Sequence, residues 1–204
     1  MWLPSVFILC AAAIGAGAAL LWQRQSAALP ALADGDLVTP RTPLPEFSLL
    51  DQHDRPFTRS ALLGHWTMMY FGYTNCPDLC PATLTSLAAM EKLLPADAAS
   101  RPGVVFVSID AVRDTPAQLA SYVPYFDPTF TGVTASDQAQ IEAFAAKLGI
   151  AVAVNRQPDG KVTVDHSSAI LVVDPSGRLA AVLTGPFTAD TLRTDFLRIA
   201  GAAS

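Results

Sequence analysis

The hydrophobic pattern divides the chain into three parts. From Trp2 to Trp22 no residue is charged and nearly all are apolar. At 1.5 Å per residue such a run crosses a hydrocarbon layer of ~30 Å, with the two tryptophans at the interfaces. Residues 1–23 are therefore expected to form one transmembrane helix, or an uncleaved signal. The small-residue site Ala31-Leu32-Ala33 lies too far beyond the run to favour cleavage. Gln23 to Pro45 is rich in Ala, Leu and Pro without periodicity, and residues 24–45 read as a tether. From residue 46 to 204, short β-like runs alternate with helical ones.

Phe47-Ser-Leu-Leu50 and Pro56-Phe-Thr58, either side of Asp51–Arg55, predict a short hairpin. His65–Phe71 is an apolar run ending at Gly72, expected as a buried central strand. Beyond it Leu84, Leu87, Ala88 and Leu94 follow helical spacing. Val104–Ile109 predicts a second strand, of the continuously apolar kind found with helices on both faces. Thr115-Pro116 reads as N-cap and first helical residue of a helix through about Tyr125. Ser136 is expected to cap a helix with Ile141, Phe144, Ala145 and Leu148 on one face, stopped by Gly149. Val162–Val164 and Ala169–Asp174 predict strands, then a Pro175-Ser-Gly177 turn and a strand over Leu179–Leu183. Thr188 is expected to cap a last helix burying Leu192, Phe196 and Ile199. This order predicts an α/β fold of thioredoxin-like plan, a central mixed β-sheet flanked by helices and preceded by the membrane helix.

Composition narrows the class. Of 204 residues, 51% are hydrophobic and 15% charged, enough for one domain with a full core, and the net charge is −5. No Lys/Arg cluster exists, which argues against nucleic-acid binding. Cys10 lies inside the apolar run after Leu9, where a lipid attachment site would want a small residue, so it reads as an inert buried thiol. Two cysteines remain for the domain.

Those two, Cys76 and Cys80, stand in Tyr70-Phe-Gly-Tyr-Thr-Asn-Cys-Pro-Asp-Leu-Cys-Pro81. Four residues apart at a strand-to-helix junction, they would share one helix face. Exposed N–H groups and the helix dipole there are expected to lower the cysteine pKa. Thiolates serve both disulfide exchange and copper(I) binding, so the pair alone leaves both open. His166, in Val164-Asp-His-Ser-Ser-Ala-Ile-Leu171, is the candidate third ligand. A three-coordinate Cys₂His set suits copper(I) and can also hold copper(II), with Asp165 as a supporting group.

At these residues the chain resembles the Sco/SenC family of copper-binding proteins needed for cytochrome c oxidase assembly. The resemblance runs from about Leu44 to Ile199 and rests also on Ser108-Ile-Asp110, Arg113-Asp-Thr-Pro116, Asp165-His166 and Asp174-Pro-Ser-Gly177. It implies copper ligands at Cys76, Cys80 and His166, a thioredoxin-like fold and an N-terminal anchor. It also implies a soluble domain facing the periplasm or the mitochondrial intermembrane space, and the lack of arginine in the first 23 residues favours the bacterial inner membrane. Ala111, where the family often has proline, and Val133-Thr-Ala135, where it often has Leu-Thr-Gly, depart from the pattern without removing a ligand.

The function expected is a copper metallochaperone that delivers copper to a subunit of cytochrome c oxidase. Other copper chaperones or thioredoxin-like reductants are further expected partners. The alternative is a membrane-anchored thiol-disulfide oxidoreductase that keeps the subunit's copper-ligand cysteines reduced, with Cys76 and Cys80 as its redox-active pair, able to close a disulfide. A thiol peroxidase is disfavoured, because Tyr73 stands where that chemistry wants threonine three residues before the cysteine. His53 and His65 read as solvated or structural, and Met68 and Met69 as core. Asp78 reads as a partner of the helix dipole, and Arg113, Asp114 and Thr115 as loop and helix-start residues.

Overall fold

The computed structural model describes residues 31–95, 101–156, 162–166 and 169–201, without the side chains between 153 and 168. The run of residues 2–22 lies outside the described residues. Among those described, no helix is long and apolar enough to cross a membrane.

Three largely apolar runs build the middle of one sheet. They are β4 (Thr67–Gly72), β5 (Gly103–Ser108) and β9 (Ala169–Val173), buried almost throughout because both of their faces are covered. β4 and β5 are parallel, and β6 (Thr131–Thr134) continues that parallel set. On the other side of β4, β9 runs antiparallel to it and β10 (Arg178–Thr184) runs antiparallel to β9. The hairpin of β2 (Ser48–Asp51) and β3 (Pro56–Thr58) forms one flank, and β1 (Gly35–Pro43) the other. The full order is β1-β10-β9-β4-β5-β6-β2-β3, while β7 (Val152–Arg156) and β8 (Val162–His166) pair separately. The thioredoxin-like mixed sheet is thus observed.

Helix α1 (Leu79–Leu93) follows β4 and buries Leu84, Leu87, Ala88 and Met90. Helix α2 (Pro116–Tyr122) starts as expected, with Thr115 Oγ1 accepting the Gln118 N–H at 3.2 Å. It passes into a 3₁₀ turn over Val123–Tyr125, where Pro124 cannot continue an α-helix. Helix α3 (Gln138–Lys147) is capped by Asp137, whose carboxylate accepts the Gln140 N–H at 2.9 Å, and not by Ser136. Ser136 instead donates its hydroxyl to Asp137 and Gln140 side chains. Helix α4 (Ala189–Gly201) has Thr188 Oγ1 accepting the Thr191 N–H and buries Leu192, Phe196 and Ile199. It packs on α1, where Arg193 Nε donates to the Leu93 carbonyl at 3.2 Å.

Gly35–Pro43, inside the stretch expected as a tether, is a strand. Its partners are distant in sequence. Asp195 on α4, fully buried, accepts the N–H groups of Ala33 and Asp34 at 2.8 to 3.0 Å. Arg41 meets Asp174 at 3.2 Å, lies 5.4 Å over the Trp66 ring and donates to the Ile199 carbonyl. Asp174 Oδ1 also accepts the Ser176 and Arg178 N–H groups, closing the expected turn at Gly177 (φ +72°).

Candidate metal centre

The parallel strands β4 and β5 end side by side, and the loops leaving them make one rim. Open α/β sheets place their sites at such carboxyl ends. The loop after β4 turns at Tyr73, whose carbonyl accepts the Cys76 N–H at 3.2 Å. Helix α1 begins only at Leu79, so Cys76 and Pro77 precede it and Cys80 stands in its first turn. Asp78 is the N-cap residue, but its side chain makes no capping bond.

Both cysteines are thiols, and the Cys80 N–H points at Cys76 Sγ at 3.4 Å. The pair is unequal in exposure. Cys76 is half-buried, whereas Cys80 is completely sealed. Cys80 Sγ reaches its place because position 72 is glycine. A Cβ there would lie 2.9 Å from that sulfur and 2.8 Å from Phe106 Cε2.

Burial, and next the Cys76 side chain, push the Cys80 thiol up to about 12. The Tyr73 backbone and the Tyr70 hydroxyl act in the opposite direction and are outweighed. The expected lowering by the helix N-terminus therefore fails for Cys80. Desolvation of an anion in the core outweighs a dipole at the surface. A soft cation replacing the proton removes that penalty, since it neutralises the sulfur where it sits.

A brace from the neighbouring loop holds the cysteine turn. Asp114 is fully buried and accepts the Thr74 N–H at 2.8 Å, the Thr74 hydroxyl at 2.6 Å and the Ser108 hydroxyl at 2.6 Å. Burial holds its carboxyl above the usual range despite those donors. Arg113 pairs with Asp110 and lies 5.9 Å over the Tyr73 ring. Arg113 and Asp114 are thus structural partners of the cysteine loop, more than the loop and helix-start role expected of them. Thr115 does cap α2 as predicted.

His166 is the last residue of β8, opposite Val152. β9 begins three residues later, and its Ile170 pairs with Tyr70. The backbone therefore enters β9 beside the end of β4 that leads into the cysteine loop. The side chains of His166 and Asp165 lie outside the described residues. Among the described residues, no group of three His, Cys, Asp or Glu side chains surrounds one point. His53 and His65 are exposed, and Met68 and Met69 are wholly buried in the core, as expected.

Tyr70, Gly72 and Asp114 carry weight that the sequence reading missed. The glycine closing a β-run was the one local signal. The reach of Asp114 across the sheet to Thr74 had none.

Comparison with known proteins bears on the family and the fold. Residues 39–200 match the SCO1/SenC family. A protein of Stutzerimonas stutzeri whose name describes a copper-binding protein is 34% identical over 150 residues, 74% of this chain and 73% of that one. The mitochondrial SCO2 homologue of Danio rerio is 37% identical over 134 residues, 65% of this chain and 48% of the relative. The chain thus spans about half the length of that mitochondrial relative. The crystal structure of Arabidopsis thaliana ScoI with copper bound aligns with a TM-score of 0.73 at 28% identity, covering 78% of this chain and 98% of that one. With its sheet order, its cysteine turn and a match over most of its length, the chain belongs to the SCO1/SenC family.

Proposed function

We propose that the chain is a copper metallochaperone acting in cytochrome c oxidase assembly. Cys76, Cys80 and His166 hold the ion, and the domain faces the periplasm from an N-terminal anchor in the bacterial inner membrane. The observation that carries this reading is the unequal pair of thiols at the carboxyl edge of β4, one sealed and one reachable. Two soft sulfurs with one imidazole match copper(I) and tolerate copper(II). The reachable Cys76 gives an acceptor's thiolate a place to begin ligand exchange, after which Cys80 lets go. Another copper chaperone would load the site by the reverse steps. Exposed Leu79, the first residue of α1, and Val112, in the loop after β5, stand at the rim, where a partner protein would rest.

The same inequality supports a second reading, a thiol-disulfide oxidoreductase. A half-exposed thiol that attacks and a buried neighbour that resolves the mixed disulfide is the usual division of labour in dithiol exchange. Here the acceptor's disulfide is reduced as Cys76 and Cys80 join, and two electrons and two protons pass to the acceptor.

His166→Ala, with both cysteines intact, separates the two. The chaperone reading expects loss of stoichiometric copper and of oxidase assembly, with disulfide reduction unchanged. Full assembly and tight copper in His166→Ala would sink it.

A further inference from the structure

Tyr70 lies two residues before Gly72 on β4, so its side chain leaves the strand on the face that Gly72 presents. Cys80 Sγ sits on that face, close enough that a Cβ at Gly72 would be 2.9 Å away. Phe106 borders both. Its ring would touch the same Cβ, and its centroid is 6.1 Å from that of Tyr70. Tyr70 is wholly buried, and its hydroxyl makes no aligned hydrogen bond. After burial, the Cys80 side chain and then Thr83 act most strongly on this hydroxyl.

A phenol O–H in the core without a good acceptor is a cost to the metal-free fold. A thiol sulfur is a weak acceptor, whereas an anionic sulfur is a strong one. The hydroxyl is therefore in place for a state of Cys80 that the metal-free protein does not adopt. We infer that the Tyr70 hydroxyl donates a hydrogen bond to Cys80 Sγ when that sulfur binds copper and thereby tunes the bound ion. This inference rests on the copper reading above.

The proton stays on the Tyr70 oxygen throughout. What changes is the sulfur, which gives less electron density to the metal when it accepts a hydrogen bond. Copper(II) depends on that donation more than copper(I), so the donor favours the reduced ion. Tyr70 is in this sense a positioning residue, since it touches the ligand and not the metal.

The test is Tyr70→Phe in the full chain, loaded with copper(I) or copper(II). The sulfur-to-copper charge-transfer band is expected to move to longer wavelength, and the reduction potential of the bound ion to fall. Copper(I) affinity is expected to drop roughly 10-fold or more. The metal-free variant is expected to melt at the wild-type temperature or above it, because it loses only an ill-paired hydroxyl. A merely structural tyrosine would move stability downward and leave the potential alone. An unchanged band and potential, or a lower melting point of the metal-free variant, would overturn the inference. Tyr122→Phe is the control, as its buried hydroxyl also makes no aligned bond and its ring lies 5.6 Å from Phe106. An equal spectral shift there would assign the effect to general polarity and also overturn the inference. If the wild type takes up no copper, the copper reading itself fails. Wild type and Tyr70→Phe loading with identical spectra would sink the tyrosine assignment alone.

Discussion

Gly72 decides where the inner sulfur sits. Alanine there places a methyl 2.9 Å from Cys80 Sγ and 2.8 Å from the Phe106 ring, closer than side-chain atoms pack. Both neighbours are fully buried and have nowhere to retreat without moving α1 or β5. Gly72→Ala is expected to cost ~1–3 kcal/mol of stability as overpacking. It is also expected to weaken copper binding, since the displaced sulfur no longer aligns with Cys76. Denaturant melts and competition titrations with a copper(I) chelator measure the two effects. Wild-type copper affinity in a stable Gly72→Ala protein would remove this role from the glycine.

At the level of elements, the cysteine loop is held from β5 and not by its own turn. Asp114 receives three hydrogen bonds from Thr74 and Ser108. Asp114→Asn is expected to cost ~1–3 kcal/mol by turning a donor toward donors. It should also remove a pH dependence. Burial raises the Asp114 carboxyl in the fold above its ordinary 3.8, so the folded state holds that proton more tightly than the unfolded chain does. Its contribution is fully present below pH 3.8 and is lost as pH rises through the raised value. The stability gap between wild type and Asp114→Asn should therefore narrow as pH climbs from about 3 into the weakly acidic range. Urea midpoints measured across that range check it, and a widening gap contradicts it.

The same brace marks the limit of what the sequence disclosed. β4, β5, β9 and the two long helices were legible because each carries its own period of apolar residues. β1 was not, since Pro40 and Pro43 break its pattern and its strand character comes from β10 and Asp195, far away in the chain. β6 was passed over because Thr131-Gly-Val-Thr134 holds a single large apolar side chain. In the site, the cysteines could be read from their motif, while Tyr70 and Asp114 matter only through what the fold sets opposite them.

For the whole molecule, the boundary of the folded unit lies nearer the N-terminus than residue 46. A chain beginning at residue 31 keeps every contact of β1, Arg41 and Asp195. One beginning at residue 46 loses them and leaves the buried Asp195 carboxylate without its two backbone donors. That second chain is expected to be less stable by at least roughly 3 kcal/mol. It should also self-associate through the bared flank of β10. Thermal melts and sedimentation of the two truncations measure this, and equal stability would show β1 to be an ornament of the fold.

The two outermost strands of the main sheet have one property in common. β1 carries Pro40 and Pro43, and the three-residue β3 begins at Pro56. Each proline lacks the N–H that a newly arriving strand would need. Among the described residues, both edge strands of the main sheet are therefore interrupted where an added strand would need donors. Strand addition to the main sheet is disfavoured at those positions, and so is edge-to-edge stacking between copies of the domain, which directs partners toward the rim of loops.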